Sequence, residues 1–363
     1  MTQLRRDILL LVAFFGLASR VSLQDRIEFS GFFVAGLGAC AVIILYKGIC
    51  LLQQKNHLTT WLLILLITLV LVFSIRNVNT LKNALVFWPV LLLLLLTRCP
   101  WKPTLRSSLD LLWWITLTLV LIDVIILALQ EGIMYGLFGP AYRLVFSERT
   151  WVSLFFALYA LHYLTHSRQN DVHRNALLIK AAVSIIISIV TQSFATILAL
   201  AVTVPFVLAR NLTGRGLLIL TFFFAAPLLG LAFGDLIDNK LQARAIALLD
   251  EVATKRTNFE LLIGMEGTHV GPDYEELPGV PDIGFNSFTL PYFLLNNFGW
   301  IGIFCFSLIL IKATRRARQV PLVLLATTVV SFLHPVHLQL EFMLLATLLT
   351  LSFYPPLDRT HDQ

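Results

Sequence analysis

The stretch LLIKAAVSIIISIVTQSFATILALAVTVPFVLAR, residues 177–210, is apolar but for scattered hydroxyls, Lys180, the polar step Thr191-Gln192-Ser193 and the closing Arg210. Two organisations fit it: a pair of short helices hinged at Thr191–Ser193, or one long tilted helix. The choice reaches beyond the stretch itself. One helix more or fewer reverses the side on which every later segment emerges.

The rest of the chain defines the medium in which those helices form. Of its 363 residues, 58% are hydrophobic and 13% charged. No single globular core hides that much apolar surface, so a bilayer is the expected solvent. Apolar runs occur at 7–19, 29–52, 59–75, 84–97, 109–129, 150–165, 177–191, 194–209, 216–234, 298–314, 319–333 and 338–354. With two helices in 177–210 they make about twelve spans of an all-α polytopic membrane protein. Several are shorter than the ~20 residues of a perpendicular span, so tilt or local thinning is expected. Arg5 and Arg6 precede the first apolar stretch as in a signal peptide, but no small-x-small cleavage site follows, and the segment reads as an uncleaved first helix. One membrane domain is expected: helices one to nine over 1–234, a large polar loop with an interfacial segment over 235–297, and three helices with a tail over 298–363.

Basic residues set the expected orientation. Arg5, Arg6, Lys47, Lys55, Arg98, Lys102, Arg106, Arg168 and Arg174 are among those that gather in alternate gaps, against Arg20, Arg26, Arg76, Lys82, Arg143 and Arg149 in the short opposite gaps. That bias predicts both termini in the cytoplasm and the long loop outside. Trp151 and Trp300 fall at outer helix ends, and Trp61 and Trp101 at inner ones, as interfacial anchors should. The net charge of +6 reports basic loops. No basic stripe interleaves with stacking aromatics, so nucleic acid is not an expected partner. Cys40, Cys50, Cys99 and Cys305 lie in or beside apolar runs, match no disulfide framework or zinc spacing, and read as small core residues.

The long loop is the chemically distinctive part. Residues 236–263 alternate charged and apolar positions and predict a helix, 264–284 are rich in glycine and proline and predict a loop, and FNSFTLPYFLLNNFGW, broken by Pro291, predicts a segment at the outer interface. Acidic residues dominate this insert, so the adjacent Lys255 and Arg256 suggest a local anion site and not a general lipid-binding surface. A guanidinium suits a phosphate because its planar fork donates two parallel charged bonds. The alternative is pairing with Glu251 and Glu260, one turn away on either side. Arg143 and Arg149 lie before a span on the same expected side, where they could converge on the same ligand or snorkel to headgroups. Asp123 and Lys180 are the charges well inside spans, and Asp123 is a functional candidate by its depth or a partnered structural carboxylate. His334, His337 and Glu341 gather at the last outer turn and could supply a general base. Their spacing matches no zinc pattern, and neither a metal nor another cofactor is expected. Gln192 and Ser193 at the hinge are either ligand-facing or turn-capping. No P-loop, dinucleotide fingerprint or nucleophile elbow occurs, which excludes ATP-driven pumping and most soluble-type chemistry.

Taken in order, these segments resemble the bacterial polysaccharide polymerases, in the superfamily that includes the O-antigen ligases. Those membrane glycosyltransferases resemble this chain in size, in about twelve spans with a large late periplasmic loop, a GT-C-like layout, and in arginines on the third and fifth outer loops. Arg143 and Arg149 stand in the third such loop here and Arg256 in the fifth. Arg256 followed by Gly267 fits the arginine–glycine spacing of some polymerases, whereas Leu154 and Ala160 stand where Arg143 and Arg149 would need glycine. Asn286-Ser287, then apolar residues, then Gly299-x-x-Gly302 is similar to another family segment. TQSFATILALAV is similar to the family hinge, with Phe194 where that hinge has arginine. Phe285 precedes Asn286 where the ligases have histidine, which favours a polymerase.

The resemblance implies a polyprenyl-diphosphate-linked oligosaccharide as substrate, membrane lipid as surroundings, a bacterial inner-membrane location, and a chain-length regulator as an admissible partner. Arg143 and Arg256 would hold the diphosphate with Arg149 assisting, since charge develops on the departing phosphate. His269, Glu266 and Glu341 are the candidates for activating the acceptor hydroxyl. Gln192, Ser193, Gly267, Asn286 and Ser287 are the candidate substrate contacts. The rival readings are an O-antigen ligase, a flippase for the same lipid-linked sugar and a solute transporter. Related halves or a long central cytoplasmic link would favour the last of these, and neither is present.

Overall fold

Thr191 ends one helix and Phe194 begins the next, so the stretch 177–210 is broken in two. The computed structural model describes residues 3–22, 30–52, 58–75, 78–95, 102–132, 146, 149–168, 173–191, 193–208, 257–264, 290–317, 322–331 and 340–353. Their helices, in chain order, are α1 Gln3–Ser22, α2 Ser30–Leu52, α3 Leu58–Ser74, α4 Val78–Leu95, α5 Lys102–Glu131, α6 Arg149–Ser167, α7 Arg174–Val190, α8 Phe194–Leu208, α9 Asn258–Ile263, α10 Leu290–Ala317, α11 Leu322–Ser331 and α12 Leu340–Leu351. No strand occurs among the described residues. Each expected apolar run is occupied by a helix except 216–234, which lies outside them. So does nearly all of the helix expected over 236–263.

The break is written in hydroxyl chemistry. Thr191 closes α7, its N–H bonding the Ile187 carbonyl at 3.0 Å and its hydroxyl donating to the carbonyls of Ile187 and Ser188 at 2.9 and 3.0 Å. Ser193 opens α8: its carbonyl accepts from the amides of Thr196 and Ile197, and its Oγ accepts from the Thr196 hydroxyl at 3.0 Å. Ser193 thus sits at the turn with its hydroxyl engaged by Thr196 and its carbonyl by the first amides of α8.

Among the described residues, two helices contain stretches long and apolar enough to cross a membrane, Leu105–Glu131 in α5 and Phe293–Ala313 in α10; the other apolar stretches are shorter. Large apolar side chains face outward on several elements, among them Leu45 on α2, Leu65 and Val72 on α3, Ile125 and Leu129 on α5, Ile179 and Ile186 on α7, and Phe304 on α10. Hydroxyls on these helices satisfy themselves on the carbonyl four residues earlier, as Thr68 does on Ile64, Thr118 on Trp114 and Ser307 on Ile303. The centre of the bundle is α6, buried almost continuously from Trp151 to Ser167 and packed against α7, α8, α11 and α12. Its first half is apolar nearly all round, as a central helix should be, and its buried polar groups lie mostly toward its end. Elsewhere α1 and α2 approach closely, because a Cβ on Gly36 would come within 2.7 Å of the Gly16 and Leu17 backbone.

Two expectations about the surface are corrected. Trp151 is no interfacial anchor: it is 5% exposed and stacks on Phe342 with ring centroids 5.2 Å apart. Trp61 and Trp300 are exposed, and Trp101 lies outside the described residues. The segment before Gly299, expected to lie along the outer interface, is buried from 293 to 298 against the bundle, because its aromatic rings have partners on α4. Phe293 meets Phe87 at 5.4 Å, and Phe298 meets Trp88 at 5.3 Å.

Gly299 interrupts α10 at φ 59°, ψ −161°. Opposite it sits Gly264, at φ 89°, the C-cap of α9. A Cβ on Gly264 would fall 2.5 Å from the Asn297 carbonyl carbon and 2.6 Å from the Phe298 nitrogen; one on Gly299 would strike the Leu262 carbonyl and lie 2.6 Å from the Gly264 nitrogen. The two glycines thus form a main-chain latch between α9 and α10. At its other end α9 is fixed by a capping box. Thr257 and Glu260 satisfy each other's backbone amides, with Glu260 Oε2 2.8 Å from the Thr257 nitrogen. Gly299→Ala is expected to cost roughly 1–3 kcal/mol from the positive φ alone, with the clash adding to it. Thermal unfolding in detergent checks this, and faster hydrogen exchange at Leu261 and Gly264 would show the latch released.

Candidate functional site

Most of the residues expected to bind substrate fall outside the described part of the chain: Arg143, Gln192, Arg256, Glu266, Gly267, His269, Asn286 and Ser287, with His334 and His337. Arg149, Ser193 and Glu341 are described, and they share one end of the bundle. Arg149 is the first residue of α6, and Trp151, two positions on, stacks on Phe342, next to Glu341 in the first turn of α12. Phe146 completes this aromatic layer, 5.6 Å from Phe342. Ser153 and Ser188 exchange hydroxyl–carbonyl bonds at 2.9 and 2.6 Å, which brings the end of α7, and with it the hinge, alongside the start of α6. Glu341 is buried, at 3% exposure. Asp123 is buried in the second half of α5.

The opposite end holds a polar cluster that sequence inspection did not single out. Here the first turns of α5 and α7 meet the last turns of α6 and α12. Lys180 pairs with Asp110 at 3.1 Å, and the Tyr163 hydroxyl donates to the same carboxylate oxygen at 2.7 Å. The Lys180 ammonium also lies 5.2 Å from the Tyr163 ring centroid and about 6 Å from those of Trp113 and Trp114. Lys180, expected as a lone charge within a span, is thus answered on two counts. Trp113 donates to Ser184 at 3.0 Å, and Tyr159 donates to the Leu109 carbonyl at 2.8 Å. Ser108 hydrogen-bonds Asp7, which adds the start of α1 to this end.

Two histidines one turn apart on α6 complete the cluster. His162 and His166 have ring centroids 4.5 Å apart, and Phe353 stacks on His166 at 4.2 Å. Ser352 lies between them, its Oγ 3.4 Å from His162 Nδ1 and 3.2 Å from His166 Nε2. The serine proton is committed to the Leu349 carbonyl, 2.7 Å away. With that hydroxyl on the Leu349 carbonyl, the serine oxygen is free to accept from both rings, an arrangement that would carry the protons on Nδ1 of His162 and Nε2 of His166.

Arg106, Asp110, His162, Tyr163, His166, His173 and Lys180 surround a cavity of about 340 Å³. Arg106 Nε is buried without a hydrogen-bond partner, an arrangement that costs about 1–3 kcal/mol for an ordinary buried donor. Among the described residues no group of histidines, cysteines and carboxylates is arranged to hold a metal ion. The cluster had a legible signal in the spacing Arg106…Asp110 and His162…His166, each pair four apart and so on one helical face.

Ser352→Ala removes the acceptor of two buried N–H groups and is expected to destabilise the protein by about 1–3 kcal/mol, read by thermal unfolding. Nitrogen-15 shifts of labelled histidine should report the Nδ1–H form for His162 and the Nε2–H form for His166 in the unsubstituted chain. Comparison with protein-family models, with curated proteins and with solved structures finds no match for this chain.

Proposed function

We propose that this chain is a multi-pass membrane glycosyltransferase that polymerises polyprenyl-diphosphate-linked oligosaccharide repeat units into a surface polysaccharide. In this reading it forms about twelve spans of a bacterial inner membrane, with both termini in the cytoplasm and the long loop over 235–297 in the periplasm. The break at Thr191–Ser193 supports the helix count on which that orientation depends. Outward-facing leucine, isoleucine and valine side chains support a lipid surround.

The observation that carries the proposal is the latch at Gly299. It ties the residues directly after Arg256 to the segment that begins shortly after Ser287. Two stretches that resemble the polymerases, far apart in sequence, are thereby anchored on one another. Arg149 and Glu341 share the bundle end that would face the donor.

The chemistry asked of such a site is simple to state. An acceptor hydroxyl oxygen bonds to the anomeric carbon of the donor, the bond from that carbon to the phosphate oxygen breaks, and the proton passes to a carboxylate or imidazole. Arg143 and Arg256, with Arg149, would stabilise the departing diphosphate through charged bonds worth roughly 1.5–3 kcal/mol each. His269, Glu266 or Glu341 would take the proton.

Purified protein in lipid nanodiscs, given a lipid-linked repeat unit, should yield a ladder of elongated products on a gel; no elongation with a range of repeat units would overturn the proposal. Arg256→Lys keeps the charge and loses the bidentate fork, so the ladder should shrink at least about tenfold, since a loss of 1.4 kcal/mol is already tenfold. Wild-type chain lengths in that variant would remove Arg256 from the mechanism.

A further inference from the structure

We infer that the cavity between the first turns of α5 and α7 and the last turn of α6 is a phosphate-binding site, at the opposite end of the bundle from Arg149 and Glu341. The inference does not rest on the proposed glycosyl transfer. Its starting point is Arg106, a cation whose Nε–H is buried on the cavity wall with no acceptor among the described residues. Asp110, the one carboxylate among the described lining residues, does not supply that acceptor. It is held by the ammonium of Lys180 and the hydroxyl of Tyr163. Among the described lining residues, Arg106 and Lys180 against Asp110 leave one positive charge before any histidine is protonated.

The remaining donors point to the same ligand. His173 lies at the open mouth, exposed, where it precedes α7 without capping it. His166 and His162 line the inner wall. Ala176 and Leu177 in the first turn of α7 also line it, with the positive end of that helix dipole set against the negative end of α6. Arginine with an oriented Nε–H and a neighbouring lysine is the combination that recognises a tetrahedral oxyanion by fork and point charge together. At about 340 Å³ the space falls at the lower end of small-molecule pockets, with room for a group attached to the phosphate. Leu177 and Ala176 on the rim supply the apolar margin that a lipid ester would need. The shared chemistry is a phosphate oxyanion, presented by an anionic lipid headgroup or free in solution.

The test compares the full chain with Arg106→Gln, both purified in detergent, against two probes. Native mass spectrometry with added dioleoylphosphatidylglycerol reads the lipid source, with dioleoylglycerol as the phosphate-free control. Thermal unfolding in inorganic diphosphate reads the free-anion source. If the lipid is the ligand, Arg106→Gln retains phosphatidylglycerol about tenfold less well than the unsubstituted chain, and both retain dioleoylglycerol equally. If the free anion is the ligand, diphosphate raises the unfolding temperature of the unsubstituted chain only. Equal behaviour of the two proteins toward both probes overturns the inference. Should Arg106→Gln fail to fold, Arg106→Lys takes its place: it keeps the charge and lacks the Nε–H, so binding several-fold weaker is expected and unchanged binding overturns it.

Discussion

A helix covered on every side cannot leave a polar group unanswered, and α6 is covered on every side. It nevertheless carries Ser153, Tyr159, His162, Tyr163 and His166. Each finds its partner on a different stretch of the chain: Ser188 on α7, Leu109 and Asp110 on α5, Ser352 beyond α12. Apolar burial alone would let these neighbours slide or rotate about α6. The polar contacts fix which neighbour stands where and in what register. The two bundle ends described above follow from that fixing.

Those ends differ in kind. Where α6 begins, the contacts are aromatic layers and serine–carbonyl exchanges, with Phe146, Trp151 and Phe342 filling the space. Where it ends, charge and ring nitrogen dominate, and a cavity opens among them. The difference follows from sequence order. The first residues of α5 include Lys102, Thr104, Arg106, Ser107 and Ser108, those of α7 include Arg174 and Lys180, and α6 delivers its histidines and tyrosines into the same layer.

Helix positions were legible in the sequence because the apolar runs are bounded by polar links, and a bilayer, where one surrounds such runs, leaves the backbone little besides helix. The hinge was legible too, since Thr191 and Ser193 are hydroxyl residues of the kind that close one helix and cap the next. Trp151 was misjudged for a physical reason. A tryptophan at a helix end reads as interfacial only if that end meets lipid, and nothing local reveals that Phe342, nearly two hundred residues later, will cover it. The burial of Phe293 and Phe298 was hidden in the same way by Phe87 and Trp88 on α4. The polar cluster was half visible: four-residue spacings put Arg106 with Asp110 and His162 with His166, but only tertiary packing brings the pairs together. Of the catalytic candidates, the arginines Arg143 and Arg256 rest on sequence resemblance alone.

The contact between Gly264 and Gly299 has no side chain in it, and this gives it a distinct mechanical character. The Asp110–Lys180 pair loosens as ions crowd around it, whereas touching main chains are indifferent to salt and proton concentration. The contact also has no rotamers through which to give way. Residues 257–264 are therefore held to the main chain at the kink of α10 itself, the one place where the two halves of that helix change direction.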